Sequence, residues 1–238
     1  MSLSVTESNV FAALRAFLLA ILPAGVEVVK AQANLVPPPA GTDYVTMTPL
    51  LRQRLEWNIA DYSDTSFTGS ISGDTLTVTE ILIGTIEIGT AIVSNGVAAN
   101  TIITAADAVN PDGTGTYTVS QSQTVASQKM AAGTKTVLQP TQVSVQLDVH
   151  GPNSGDNAQI ITSLFFDPYA TDAFQLSGYD VAPLYADDPK QIPFINAENQ
   201  YEDRWVVTAY MQANPTITLP QQFADELETT VTEVQASA

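Results

Sequence analysis

The chain offers one imidazole as a general base, His150, because it contains a single histidine. His150 closes the run Gln142 to His150, with Asp148 two positions before it and Ser144 six before it. Nucleophilic catalysis needs a hydroxyl within reach of the base and a carboxylate to orient it. No Gly-x-Ser-x-Gly elbow, which would present a serine on a sharp strand-to-helix turn, is present. An acidic hydrolase using His150 is one reading, and a histidine ending a strand beside a turn is the simpler one. Asp187 and Asp188, with Asp180 nearby, form a carboxylate group that could take Ca²⁺, but the spacing fits no EF-hand loop. Pro189 and Lys190 beside them suggest a turn with local charge neutralisation. Asp107, Asn110 and Asp112 resemble a loose calcium loop, for which a hairpin turn is the simpler account. Gly113-Thr114-Gly115 has no following lysine or helix and so is no phosphate loop. With no cysteine, thiolate metal sites, cysteine nucleophiles and disulfides are excluded. The expectation is that there are no catalytic, cofactor-binding or metal-binding residues, no cofactor, and no enzyme.

Charge narrows the partners. The 238 residues carry 25 Asp and Glu against 8 Lys and Arg, a net charge of -17. Tight binding to nucleic acid needs clustered cations to neutralise phosphates, and an anionic membrane face needs them too. At 45% hydrophobic residues the chain is apolar enough to build cores. The apolar stretch Ala16 to Leu22 is too short to span a bilayer, which takes ~20 residues. Residues 1–10 hold Glu7 and no basic residue, unlike a signal peptide. A protein kept in a cytosol-like space, with no membrane partner, is expected.

The elements that would position these groups start with a helix. Ser4-Val5-Thr6-Glu7 fits a capping box. Val10, Leu14, Phe17, Leu18 and Ile21 recur every three or four residues, and Pro23 with Gly25 ends the pattern. A core-facing stripe is expected there, with a partner-binding face as the alternative. Val26 to Gln32 and Asp43 to Pro49 read as strands, separated by the stiff Val36-Pro37-Pro38-Pro39 segment. Gln142 to His150 alternates most cleanly. Gly151 to Asp156 reads as a turn and helix start, and Ala158 to Phe166 carries a helical stripe through Ile160, Ile161, Leu164 and Phe165. Phe174 to Gln200 reads as mostly loop, then Arg204 to Met211 and Thr216 to Leu219 as strands. The end, Gln221 to Ala238, is acidic and reads as a frayed helix or an extended arm.

Between residues 66 and 133 the text changes to Gly, Thr, Ser, Ile, Val and Ala. Strands are expected at Leu76 to Thr79, Ile86 to Ile88 and Thr116 to Val119. Turns are expected at Ser72-Gly73-Asp74, Asn95-Gly96 and Pro111-Asp112-Gly113. Helix signals occur on both flanks and none inside. The reading is a core domain of residues 1–65 and 134–238, interrupted by a β-rich domain at 66–133. One continuous all-β domain is the alternative. The expected class is α+β: a mixed, mainly antiparallel sheet with helices on one face, plus a small inserted all-β domain.

The stretch Pro183 to Glu202 sets aromatic residues among prolines and acids, as contact surfaces often do. Tyr185, Asp187, Asp188, Phe194, Asn196, Gln200 and Tyr201 are the candidate interface residues; the acidic C-terminal segment is a second candidate arm.

Several stretches carry a resemblance. These are Phe11 to Leu19, Ile21-Leu22-Pro23, Gly25 to Val28, Gln32-Ala33-Asn34, Val36-Pro37, Asp43 to Leu50 and Arg52 to Leu55 near the start. Later come Leu164 to Ala170, Pro183 to Pro189, Pro193 to Asn196, Gln200 to Trp205 and Gln212 to Phe223. In this order they resemble phage neck-terminator, or tail-terminator, proteins over most of 9–58 and 138–234. The middle lies outside that pattern; Gly113 to Ser120 is similar to Gly/Thr-rich β modules of phage tail and virion proteins. The resemblance implies a tail-terminator-like fold and a structural virion protein of the tail and neck, assembled in the host cytoplasm. It implies a closed homo-oligomeric ring, usually a hexamer, that stops the tail tube and joins it to the neck. The implied partners are further copies of the chain, the tail tube protein, head–tail connector or stopper proteins, and the sheath where a tail has one. DNA would pass the lumen without specific binding, and an acidic wall suits that passage because it repels phosphate. A ring needs two unlike complementary patches per subunit. The alternative function is a virion decoration or receptor-binding protein acting through the β-rich stretch.

Overall fold

The computed structural model describes residues 3–31, 41–195 and 201–221. In chain order the elements are helix α1 (Glu7–Ile21), strands β1 (Glu27–Lys30), β2 (Tyr44–Arg54), β3 (Ile59–Ile83), β4 (Ala91–Val93), β5 (Ile103–Val109), β6 (Gly115–Leu138) and β7 (Thr141–His150). They continue with helices α2 (Ser154–Phe165) and α3 (Pro168–Leu176), then β8 (Val181–Ala186), β9 (Lys190–Gln191), β10 (Phe194–Ile195), β11 (Tyr201–Glu202), β12 (Arg204–Ala213) and β13 (Thr216–Pro220). The chain is mixed α and β with mixed sheets. It divides into two compact units, one of residues 2–59 and 138–217 and one of residues 60–137 with the segment from 218.

The first unit is organised on a sheet of strand order β1-β2-β7-β12-β8, with β9 also paired to β12. Only β1 and β2 run parallel; the β2–β7, β7–β12 and β12–β8 ladders are antiparallel. Its core follows from period two in the strands and from a stripe along each helix. Val143, Val145, Leu147 and Val149 of β7 and Val207, Ala209 and Met211 of β12 are buried with Val10, Leu14, Phe17 and Leu18 of α1. Each large apolar side chain so buried contributes roughly 1.5–3 kcal/mol. The α1 stripe is therefore core.

Three rings knit the helices together. Phe17 of α1 meets Phe165 of α2 edge-on at 5.6 Å and Phe174 of α3 at 5.8 Å. Phe174 lies in α3, whose last three residues fall in the stretch expected to be mostly loop and whose first six carry no expectation. Its local signals are Asp167, whose carboxylate accepts from the Tyr169 amide at 2.9 Å, and Pro168 at the first helical position. The α1 cap also differs from expectation. Thr6, not Ser4, caps the helix and forms the box with Asn9, not Glu7.

Two prolines sit inside strands, where a missing amide is tolerated only at a bulge or edge. Pro49 lies where the β2–β7 register shifts, beyond the last residue of β2 paired to β1. Pro183 lies on β8 at the end of the sheet, next to the irregularity opposite Tyr210 and Met211. The turn after β7 depends on Gly151, whose φ is +104°. A side chain there would lie 2.6 Å from the Thr42 carbonyl oxygen, besides being strained in that conformation. Asn153, next along, donates from its backbone and side-chain nitrogens to Asp43 at 3.0 and 2.7 Å.

The second unit holds a sheet of order β13-β6-β3, with β4 and β5 also paired to β6. Among its described residues there is no helix. Phe67, Ile71, Leu76, Val78, Ile103, Tyr117, Val119, Met130 and Ala132 form its core. Ser72-Gly73 turns within β3, with Gly73 at φ +67°, so that Thr79 Oγ1 donates back to the Thr68 carbonyl. Ile86 to Ile88, expected as a strand, is loop and turn instead. The Thr90 hydroxyl and amide bond the Glu87 carbonyl there, a local turn that competes with a ladder.

Candidate functional site

Strand parity decides which residues of the first sheet face away from its apolar core. On β7 the alternate set is Gln142, Ser144, Gln146, Asp148 and His150; the register sets Tyr44 and Arg204 on either side of His150. The sequence expectation took Ser144, Asp148 and His150 together but not the rest of their row. Period two applied to the whole strand would have placed them on one polar row.

That row ends in a buried polar network. The Tyr44 ring stacks on His150 with centroids 4.4 Å apart and planes 3° from parallel. His150 Nδ1 lies 3.2 Å from Glu202 Oε1. Arg204 donates from Nε to Asp148 Oδ1 at 2.9 Å and also from Nη2 to the same oxygen. Gln146 Nε2 donates to that oxygen at 2.8 Å. Burial lowers the imidazole's pKa, Glu202 and Asp148 pull it back up, and Arg204 lowers it again. Burial pushes the Tyr44 phenol up to about 12, with the Glu202 charge adding to it. Ser144 lies six residues from His150 on the same strand, about 20 Å at ~3.3 Å per residue, and its hydroxyl bonds the Leu51 carbonyl. No serine–histidine couple forms between them.

The chemistry this arrangement does is mechanical. Glu202 belongs to β11, which pairs with β10 as a small hairpin, Phe194 opposite Glu202 and Ile195 opposite Tyr201. The buried pair with His150 therefore roots that hairpin on the sheet. Next to Glu202 in that ladder, Tyr201 is 83% exposed, and Ile195 opposite it is exposed as well. An exposed apolar pair on a clamped ladder is pre-organised for contact.

The expected interface residues fall into two groups. Tyr185, on β8, stacks against Tyr210 of β12 at 4.4 Å. Asp187 accepts from the Tyr210 hydroxyl at 3.3 Å, and its amide donates to the Thr208 carbonyl at 2.9 Å. Asp188 is exposed beside it. Phe194 and Tyr201 belong to the hairpin. Asn196 and Gln200 lie outside the described residues, as do the Val36 to Pro39 segment and the acidic end after Gln221. Pro183 to Glu202 is thus partly strand, because β8 and β9 both pair with β12. Trp57, 86% exposed beside exposed Leu55, is an aromatic candidate that the sequence reading passed over.

Among the described residues no group of three or more His, Cys, Asp or Glu could hold a metal. No described helix is long and apolar enough to cross a membrane. No curated protein matches the chain. A family model described as phage neck terminator protein matches residues 88–235. The matched span includes residues 88–133, which the resemblance left outside the family pattern, and omits residues 9–58, which the resemblance included. With more than half of its length matched, the chain belongs to the phage neck terminator protein family.

Proposed function

We propose that the protein is a structural virion subunit that assembles into a homo-oligomeric ring, hexameric by the family resemblance. The ring ends the phage tail tube and joins it to the head-proximal neck. Family membership carries the reading, since a neck terminator is a structural tail and neck protein that meets other phage proteins. Its partners are further copies, the tail tube protein and the connector or stopper, with a sheath in a contractile tail. DNA crosses the lumen unbound, and assembly takes place in the host cytoplasm. The rooted hairpin with Tyr201 and the Tyr185–Tyr210–Asp187 cluster supply contact surface for it.

We read the second unit as a domain inserted into the first, with the helices of the first on one face of its sheet. The support is local. Arg54 pairs with Thr141, and the Leu55 amide donates to the Pro140 carbonyl at 2.9 Å, so the chain leaves and returns on adjacent strands. The second reading, a decoration or receptor-binding protein, draws on this separate unit.

Light scattering on the purified chain, with electron microscopy of added tail tubes, tests the reading. A discrete oligomer that caps tube ends is expected. A chain that stays monomeric at high concentration and leaves tube ends bare refutes the ring and favours the second reading.

A further inference from the structure

Charge is distributed unevenly over the first unit. Residues 2–59 carry four acids against four bases, half of all the basic residues in the chain, whereas residues 138–217 carry ten acids against two bases. These two stretches supply the opposite ends of one sheet, β1 at one end and β8 at the other.

Each end also has exposed apolar structure. Helix α1 lies along β1, and between them is a groove of about 430 Å³ lined by Phe11, Val28, Val29 and Met47, with Arg15 and Lys30 among its polar lining. The Arg15 guanidinium donates to the Val28 carbonyl, and the Lys30 ammonium sits 4.6 Å from the Phe11 ring centroid. The Lys30 ammonium is also ion-paired with Glu7 of α1, so the Arg15 guanidinium is the cation the groove offers a partner. At the other end, Phe166 and Leu184 are exposed beside Asp167 and Asp172, with α3 packed on β8. One end is an apolar groove with the Arg15 guanidinium beside it, and the other a pair of exposed apolar side chains flanked by acids. A monomer has no use for such a pair, whereas a head-to-tail contact between copies needs two unlike, complementary patches.

We infer that the α3–β8 end of one copy seats on the α1–β1 end of the next, Phe166 and Leu184 entering the groove while Asp172 faces Arg15. The inference rests on the ring reading and names the faces that close it. Buried apolar contact supplies the attraction, and the charges fix which end meets which.

Charge reversal tests the pairing. Arg15→Glu makes one variant, and Asp172→Lys makes the other. Circular dichroism first establishes that both remain folded. If either does not fold, Arg15→Gln and Asp172→Asn replace them. In light scattering each variant alone should drop to monomer at concentrations where the wild type is oligomeric, and an equimolar mixture should regain the oligomer. In the mixture each reversed end finds a reversed partner and each native end a native one. Wild-type association should also weaken from 0.05 to 0.5 M salt, as the Debye length shortens to a few ångströms. If the wild type is oligomeric and both variants are too, the end-to-end assignment is wrong while the ring reading stands. If the variants stay oligomeric but removal of residues 222–238 abolishes association, the acidic C-terminal segment is the occupant of the groove and the inference falls. A wild type that is monomeric throughout overturns both the inference and the ring.

Discussion

Replacing Arg204 with Met should destabilise the first unit more than the loss of a surface charge would. Asp148 is 6% exposed, and Arg204 supplies two donors to one of its oxygens. Without them the carboxylate keeps the Gln146 amide at 2.8 Å and the Thr46 hydroxyl at 3.5 Å, and no balancing cation on that oxygen. Stripping one partner from a buried pair costs ~3–5 kcal/mol. The Arg204 side chain is partly exposed, and solvent screening places the cost near the low end, about 3 kcal/mol. At a urea m-value of about 2 kcal/mol/M, that lowers the midpoint by about 1.5 M. Tryptophan fluorescence reads the right unit, because both tryptophans, Trp57 and Trp205, belong to it. Adding Asp148→Asn to Arg204→Met should recover much of the loss, since no uncompensated charge then remains buried. The reasoning fails if Arg204→Met moves the midpoint by less than about 0.3 M. It fails equally if the double variant is no more stable than Arg204→Met alone.

Two further outcomes test other parts of the structure. Phe17→Ala removes the ring shared by Phe165 and Phe174 and should cost about 3–5 kcal/mol in the tryptophan-detected transition; Phe67→Ala in the second unit should leave that transition in place if the units unfold separately. The folded imidazole of His150 binds its proton less readily than the ordinary 6.5, because burial outweighs the pull of Glu202 and Asp148. The unfolded chain therefore takes up the proton first, and the stability this burial allows is complete above pH 6.5 and lost as pH falls below it. Urea midpoints at pH 7.5 and 5.5 should diverge more in the wild type than in His150→Gln, and equal pH dependence in the two would remove the argument.

The sequence by itself determined what local patterns encode. The stripe Val10, Leu14, Phe17, Leu18 dictated a core-facing α1, because a helix has one apolar face to bury. Strict alternation dictated β7 and β12, and the composition changes near residue 66, inside β3. The absence of cysteine and the single histidine limited the chemistry available before any fold was known. Tertiary structure decided what depends on groups brought from far along the chain. Glu202 meets His150 only because the β7–β12 ladder sets Arg204, two residues further on, opposite His150, and Arg204 meets Asp148 across the same ladder although 56 positions separate them. The start of the nine-residue helix α3 is legible in Asp167-Pro168, but its short stripe gains meaning only when Phe174 closes on Phe17 and Phe165. Ile86 to Ile88 looked like strand, yet no ladder partner was in place and a hydroxyl from Thr90 turned the chain instead. The faces a neighbour would touch belong to this second class, since exposure is the outcome of packing and has no local code.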